Sequence, residues 1–199
     1  MYEIKKYVEA RISHSRWQHT LGVMETADIL GTYLMPNRRE ELVLAALLHD
    51  VAKELTLDEM FCLIAEQEIP ITADDLSTPA ALHSFAGAAM VKRDFPDLAE
   101  RDVISAIANH TLGAPNMSLF DKIIYISDYI EPGRSADSCQ RVRKFLLSNI
   151  KEGARESNVR ALNRSIVMAI DNTYGYLVSR GLAVNGKMLD TKKALLPFI

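Results

Sequence analysis

The feature that most constrains this chain is a histidine followed by an aspartate, His49-Asp50, at the end of an apolar run at residues 42–48. A carboxylate in an apolar environment is strongly disfavoured unless it is paired, protonated or bound to a metal ion. Side-chain packing alone therefore does not explain this pair. The fold has to bring compensating groups to His49 and Asp50 from other parts of the chain.

Helical periodicity runs through nearly the whole sequence. Few β-branched runs alternate with period two, and no strand–helix–strand rhythm is present, so the pattern predicts an all-α fold. Ser15 is the expected cap of the second helix, Thr56 and Glu59 form a capping-box pattern, and Ser118 precedes a further helix. The predicted helices cover residues 2–11, 15–33, 38–50, 57–66, 77–94, 99–110, 119–130, 137–149 and 157–180.

Two later segments carry weaker signals. The helix predicted at residues 137–149 contains Arg141, Arg143 and Lys144, which we interpret as a solvated face. Gly181 is a natural residue for the end of the last long helix. The tail that follows, at residues 184–187, predicts a small hairpin because it contains an Asn-Gly pair.

The composition is that of one ordinary globular domain, with 199 residues, 48% apolar and 25% charged. A net charge of −3 gives no general attraction to nucleic acid or acidic membranes, so neither is an expected partner. No apolar stretch approaches the roughly 20 residues that span a bilayer, and the N-terminus does not resemble a signal peptide. Cys62 and Cys139 form no recognisable motif, so we expect reduced thiols in a cytoplasmic protein.

Further histidines and one further aspartate lie within predicted helices or at their ends and supply co-ligands for His49 and Asp50. Asp128 is the only charged residue in the apolar run at residues 123–130. Imidazoles and carboxylates without a thiolate suit iron, manganese, cobalt, nickel or zinc, and ligands scattered along the chain favour a catalytic centre over a structural one. His14 fits no motif. The predicted metal ligands are His19, His49, Asp50, His83, His110 and Asp128.

Basic residues stand close to these ligands in the sequence. Arg16 lies three residues before the first ligand and Lys53 four residues after His49, and both spacings place side chains on one helix face. Arg134 follows the last ligand by six residues and is expected to reach the same site. Glu54, four residues after Asp50, is expected to orient a ligand or to pair with Lys53.

The ordered pattern His19…His49-Asp50…Asp128 resembles the HD-domain metal-dependent phosphohydrolase superfamily, and the added His83 and His110 resemble its two-metal branch. The strings at residues 16–20, 49–54, 109–111 and 127–134 are similar to those of the YqeK-like bacterial HD proteins. This resemblance covers essentially the whole chain. It implies a single HD domain over residues 1–199, a helical bundle with metal ligands between residues 19 and 128 and C-terminal helices at 137–180.

The resemblance also implies an activity, namely symmetrical hydrolysis of diadenosine tetraphosphate to two ADP by metal-activated hydroxide. Iron is the typical metal of these proteins, with one or two ions expected. Asp50 would bridge two ions, one held also by His19, His49 and Asp128 and the other by His83 and His110. Asp50, Lys53 and Arg134 would be catalytic. Lys53, Arg134 and Arg16 would bind the phosphates of a nucleotide or dinucleoside polyphosphate.

Other functions fit parts of the same pattern. One is an HD-type nucleotide phosphohydrolase of different specificity, although Lys53-Glu54 departs from the HDxxED pattern of guanosine tetraphosphate hydrolases. Another is a di-iron oxygenase, and a third is a nucleotide sensor without turnover. The intact ligand set favours an enzyme. The sequence leaves open the metal, the base preference and the choice between a monomer and a homodimer.

Overall fold

The architecture is entirely helical, as predicted from the sequence. The computed structural model describes residues 1–199 and contains no β-strand. None of its helices combines the length and the apolar character needed to cross a bilayer. The helices are α1 Tyr2–Glu9, α2 His14–Leu34, α3 Arg39–Leu48, α4 Leu57–Glu66, α5 Ala73–Leu76, α6 Leu82–Asp94, α7 Arg101–Asn109, α8 Leu119–Ile130, α9 Asp137–Asn149, α10 Arg155–Ser179 and α11 Gly186–Leu195.

Helix caps set the starts of the helices that carry the predicted site. The predicted capping box at Thr56 and Glu59 is confirmed, and Ser118 caps α8 as predicted. The cap of α2 is Ser13 rather than Ser15, because Ser13 has extended backbone and its hydroxyl accepts the N–H of Arg16. The earlier start places Arg16 in the first turn of α2.

The interior of the bundle is organised around α3, which packs against α2, α7 and α8. Most of its apolar residues are buried, and Leu42, Leu47 and Leu48 have no exposed surface. The α-helix stops at Leu48, two residues before the predicted end, and His49 is its C-cap. A helix that is apolar around most of its surface has to be surrounded by other helices. The residues that follow it therefore emerge inside the protein rather than at its surface.

Small residues on α6 allow that helix to approach the end of α3 closely. A Cβ atom on Gly87 would lie 3.4 Å from the carbonyl oxygen of His49 and 3.3 Å from Cγ2 of Ile107. The neighbouring Ala86 and Ala88 have no exposed surface. Close packing of this kind requires small side chains at the contact. This close packing places the first turn of α6, which contains His83, near the end of α3.

The C-terminal segment differs from its prediction. No hairpin forms at residues 184–187, because the Asn185 side chain accepts the N–H of Lys187 and caps α11. The same side chain donates to the carbonyl oxygen of Asp74, at the short helix α5, which the sequence did not predict. Asp75 of α5 is completely buried and pairs with Lys187 at 2.6 Å. This ion pair fixes α11 against the rest of the bundle.

We expect Lys187→Met to destabilise the protein by about 3 kcal/mol, because it leaves a buried carboxylate without its partner. Burial alone would raise the pKa of Asp75, but hydrogen bonds from Lys187 and Thr72 hold that pKa below its usual range. Without the lysine we expect the pKa of Asp75 to rise. The deficit in unfolding free energy should therefore shrink as the pH falls and Asp75 is protonated.

Urea unfolding as a function of pH measures this effect. The control is Lys192→Met on the same helix, whose ion pair with Asp171 is solvent-exposed and should contribute less than about 1 kcal/mol. Equal losses in the two variants would contradict a structural role for the buried pair.

Candidate metal centre

The centre begins at the end of α3, where the chain turns and His49 and Asp50 are both buried. The His49 Nδ1–H group donates to the carbonyl oxygen of Ala46 at 2.6 Å. This bond directs the lone pair of Nε2 inward, 3.4 Å from Oδ2 of Asp50. In the same turn, the N–H of Lys53 bonds to the carbonyl oxygen of Asp50, so the ammonium group returns toward the cluster.

Helices α6 and α7 present two further imidazoles in the same way. The Nδ1–H group of His83 donates to the carbonyl oxygen of Ala80 at 2.8 Å, and that of His110 donates to Ile107 at 2.7 Å. Their Nε2 atoms lie 3.3 and 3.5 Å from Oδ1 of Asp50. The two Nε2 atoms are 3.2 Å apart. Both rings therefore direct a lone pair at the same carboxylate oxygen.

Helices α2 and α8 close the other side of Asp50. Nε2 of His19 lies 3.0 Å from Oδ1 of Asp128 and 3.8 Å from Oδ2 of Asp50. The guanidinium of Arg134 donates to the Asp128 carboxylate at 2.6 Å and to its carbonyl oxygen at 3.1 Å. Oδ2 of Asp50 thus faces His19 and His49, while Oδ1 faces the histidines of α6 and α7.

The donor atoms suit a divalent cation. Nε2 of His19, Nε2 of His49 and Oδ1 of Asp50 are buried and make no hydrogen bond in the protein. Buried polar atoms without partners are costly, and nitrogen and oxygen donors of these types are those that divalent transition metals prefer. His19, His49 and Asp128 present one group of closely spaced donors, and His49, Asp50 and His110 present another. A bound divalent cation would satisfy the unpartnered atoms.

Two of the predicted ligands, Asp50 and His83, have the protonation states that metal binding requires. Burial alone would raise the pKa of Asp50, but His49, His110 and His83 hold it well below its usual range, so the side chain is a carboxylate. Burial lowers the pKa of His83 to about 4. Its imidazole is consequently neutral at physiological pH and has a lone pair to donate.

The three basic residues predicted beside the ligands all lie at the cluster. Arg16 Nη1 donates to Oδ2 of Asp50 at 2.9 Å, and Arg134 contacts the second aspartate as described. The Lys53 ammonium lies 3.0 Å from Nε2 of His83. Burial lowers the pKa of Lys53, and the opposing charge of Asp50 limits that effect. Three cationic groups therefore surround a centre built on two aspartates.

Two residues near the motifs lie away from the centre. His14 is exposed at the start of α2. The expectation that Glu54 would orient a ligand or pair with Lys53 is wrong, because its Oε1 accepts the backbone N–H of Ser13 at 2.7 Å. Glu54 thereby holds the N-terminus of α2 next to the turn that follows α3.

Two residues that support the centre were not predicted to do so from the sequence, namely Arg143 and Glu131. Arg143, predicted on a solvated face, instead donates to the carbonyl oxygens of Ile130 at 2.5 Å and Arg134 at 2.9 Å, and also to that of Glu131. The side chain of Glu131 is buried and bonds to Nδ1 of His19 at 3.1 Å. Glu131 lies within the family-like string at residues 127–134, but the sequence analysis assigned it no role.

An open cleft of about 620 Å³ borders the centre at His19, the one predicted metal ligand in its lining. It runs between α2 and residues 131–134. Leu21 is the one hydrophobic residue in its lining, which also includes Arg16 and Arg134, with Gln18 and Glu25 on α2. The volume is in the range of small-molecule binding sites. A ligand in the cleft would therefore lie beside His19 and two guanidinium groups.

A family model described as the HD domain matches residues 16–133, which contain every predicted metal ligand. The chain belongs to the HD-domain family. The resemblance noted from the sequence is thereby confirmed, as is the HD fold. A solved structure named "predicted HD superfamily hydrolase involved in NAD metabolism", from Clostridium acetobutylicum, superposes on this HD-domain protein with a TM-score of 0.83. It is 30% identical, and the match covers 98% of this chain and 96% of that one.

Curated relatives are similar over nearly their whole length. The symmetrical bis(5'-nucleosyl)-tetraphosphatase of Halalkalibacterium halodurans is 35% identical over 194 residues, covering 95% of this chain and 93% of the relative. The enzyme of the same name from Bacillus subtilis is 32% identical over 178 residues, covering 89% and 87% of the two chains.

We expect His49→Ala to lose most of the metal bound by the purified HD-domain protein, because His49 belongs to both groups of closely spaced donors. His14→Ala removes the one histidine outside the cluster and should retain the wild-type metal content. Inductively coupled plasma mass spectrometry on desalted samples measures both. Full metal content in the His49 variant would show that the centre lies elsewhere.

Proposed function

We propose that this HD-domain protein is a symmetrical dinucleoside tetraphosphate hydrolase that converts diadenosine tetraphosphate and water into two ADP. The observation that carries the proposal is the Asp50 carboxylate, whose two oxygens face separate sets of imidazoles beside three cationic side chains. The relatives named as symmetrical tetraphosphatases, which match over about nine-tenths of the chain, support this substrate class.

The proposed ligand set is divided by Asp50. His19, His49 and Asp128 would hold one metal ion together with Asp50, and His83 and His110 would hold a second. We propose iron as the metal, with manganese, cobalt, nickel or zinc compatible with the same donors. Divalent ions bound at such a site lower the pKa of water and stabilise the attacking and leaving oxygens of a phosphoryl group.

The side chains around the ligands would bind the polyphosphate. Arg16 and Arg134 line the cleft and offer planar guanidinium groups to phosphate oxygens. Lys53, next to His83, adds a point charge on the opposite side of Asp50. The negative charge that develops on a leaving nucleoside diphosphate would be stabilised by Lys53 and Arg134.

The cleft gives one nucleoside a place outside the cluster. With the central phosphates at Asp50, one half of the substrate would extend between α2 and residues 131–134. Symmetrical cleavage breaks the bond between the bridging oxygen and one of the two central phosphorus atoms. Water supplies the new oxygen on that phosphorus and one proton to the products. The other half of the substrate leaves as ADP.

The substrate assignment is tested by anaerobic incubation of the metal-loaded protein with diadenosine tetraphosphate, followed by chromatography of the products. We expect ADP as the only nucleotide product. ATP together with AMP would contradict symmetrical cleavage. Turnover that required oxygen would indicate an oxygenase, and no turnover with any of the metals named above would reject this substrate.

We expect Lys53→Ala and Arg134→Ala each to lower kcat by about 100-fold, because each removes a cation positioned for phosphate charge. Steady-state kinetics with diadenosine tetraphosphate gives kcat and KM separately. Lys193→Ala serves as the control, since that lysine is exposed on α11 and pairs only with Asp190. Unchanged kcat and KM in the Lys53 and Arg134 variants would contradict the proposed phosphate contacts.

We further propose that the enzyme works in the reducing cytoplasm, because Cys62 and Cys139 are both free thiols in the structure. Cell fractionation with detection of the native protein tests this point. Recovery in an extracellular fraction would contradict it.

A further inference from the structure

His19 differs from the other three histidines of the cluster in how its ring is oriented. Each of the other three donates its Nδ1–H to a backbone carbonyl three residues earlier. His19 instead lies inside α2, where the preceding carbonyl groups accept N–H groups of the helix. Its Nδ1 contacts Glu131, which is 112 positions away in the sequence.

Glu131 lies in a pocket that fits a carboxylate closely. Its side chain is only 4% exposed, and Oε1 lies 3.1 Å from Nδ1 of His19. The backbone N–H of Gly133 donates to Oε2 at 2.5 Å. A Cβ atom on Gly133 would lie 3.0 Å from both oxygens, and one on Gly22 would lie 3.3 Å from the carboxyl carbon. The two glycines leave room that a larger residue would fill.

The backbone of Glu131 is also held in place. Glu131 is the C-cap of α8, and its carbonyl oxygen accepts the N–H of Arg134. Arg143 of α9 donates to the carbonyl oxygens of residues 130, 131 and 134. These hydrogen bonds hold the end of α8 and the loop after it, and so keep the Glu131 carboxylate next to His19.

We propose that Glu131 is a positioning residue that holds His19 with its proton on Nδ1 and the lone pair of Nε2 directed at the metal. The inference rests on the proposed function, in which His19 is a ligand. A carboxylate that accepts the second ring N–H of a ligating histidine fixes its tautomer and orientation and strengthens it as a donor. Glu131 supplies the acceptor that α2 itself lacks.

The two donors that face Glu131 explain why a carboxylate is required. Gly133 presents a backbone N–H that cannot change its role, and His19 presents a ring N–H. A glutamine at this position has one acceptor oxygen, which would face Gly133, and an NH₂ group that would face His19. Nδ1 of His19 would then have to accept, and its proton would move to Nε2, where it blocks metal binding.

The test compares Glu131→Gln and Glu131→Ala with the wild-type protein. Long-range ¹H–¹⁵N NMR of the metal-free protein reports the His19 tautomer, and the free-ion signal in electron paramagnetic resonance reports Mn²⁺ affinity. In the metal-free protein Nε2 of His19 faces the Asp128 carboxylate at 3.0 Å, so the state of Nδ1 is the informative one. We expect Glu131→Gln to leave Nδ1 without a proton, and both variants to lower Mn²⁺ affinity by about 10- to 100-fold. Asp75→Asn, which neutralises a buried carboxylate in the α5–α11 contact, should leave Mn²⁺ affinity unchanged.

Each result decides the inference. A His19 ring that keeps its proton on Nδ1 in Glu131→Gln, or an Mn²⁺ affinity within about twofold of wild type, would overturn the positioning role. An equal loss in Asp75→Asn would also overturn it, because the effect would then follow from destabilisation alone. A wild-type protein that bound no Mn²⁺, Fe²⁺ or Zn²⁺ would instead overturn the proposed function, and the positioning role with it.

Discussion

The burial of the Asp50 carboxylate is the constraint on which the rest of this structure depends. The apolar α3 helix carries Asp50 into the interior, where a lone charge would be costly. Four other helices place imidazoles or a second carboxylate around Asp50, and Arg16 donates directly to its carboxylate. The result is a cluster of buried charged and polar side chains around one carboxylate. The same burial that would otherwise raise the pKa of this aspartate makes its surroundings suitable for a cation.

Local backbone geometry prepares most of the cluster before any ligand is bound. Carbonyl groups one helical turn back orient three histidines through Nδ1, so the ring positions follow from helix ends on α3, α6 and α7. These contacts require no additional side chains and leave Nε2 free. His19 comes from the middle of a helix and needs a distant carboxylate instead. The centre therefore combines three locally oriented ligands with one that depends on the loop after α8.

Sequence patterns predicted the features that depend on neighbouring residues, and missed those that depend on contacts between distant parts of the chain. The helices of the site follow from periodicity and capping residues, and the ligand set follows from charges placed in apolar runs. Ser13 replaced Ser15 as a cap because the choice depends on backbone dihedral angles. Arg143 resembles an ordinary surface arginine, since its partners are backbone carbonyls that have no sequence signature. The helix α11 was mistaken for a hairpin because its cap, Asn185, belongs equally to a tight turn.

Anomalous diffraction from crystals grown with Mn²⁺ tests the central claim most directly, because it locates the ion without reference to turnover. The account predicts anomalous density in contact with the Asp50 carboxylate, flanked by His19, His49 and Asp128 or by His83 and His110. Density that made no contact with Asp50, or an empty cluster at saturating Mn²⁺, would contradict a metal centre built on this buried aspartate.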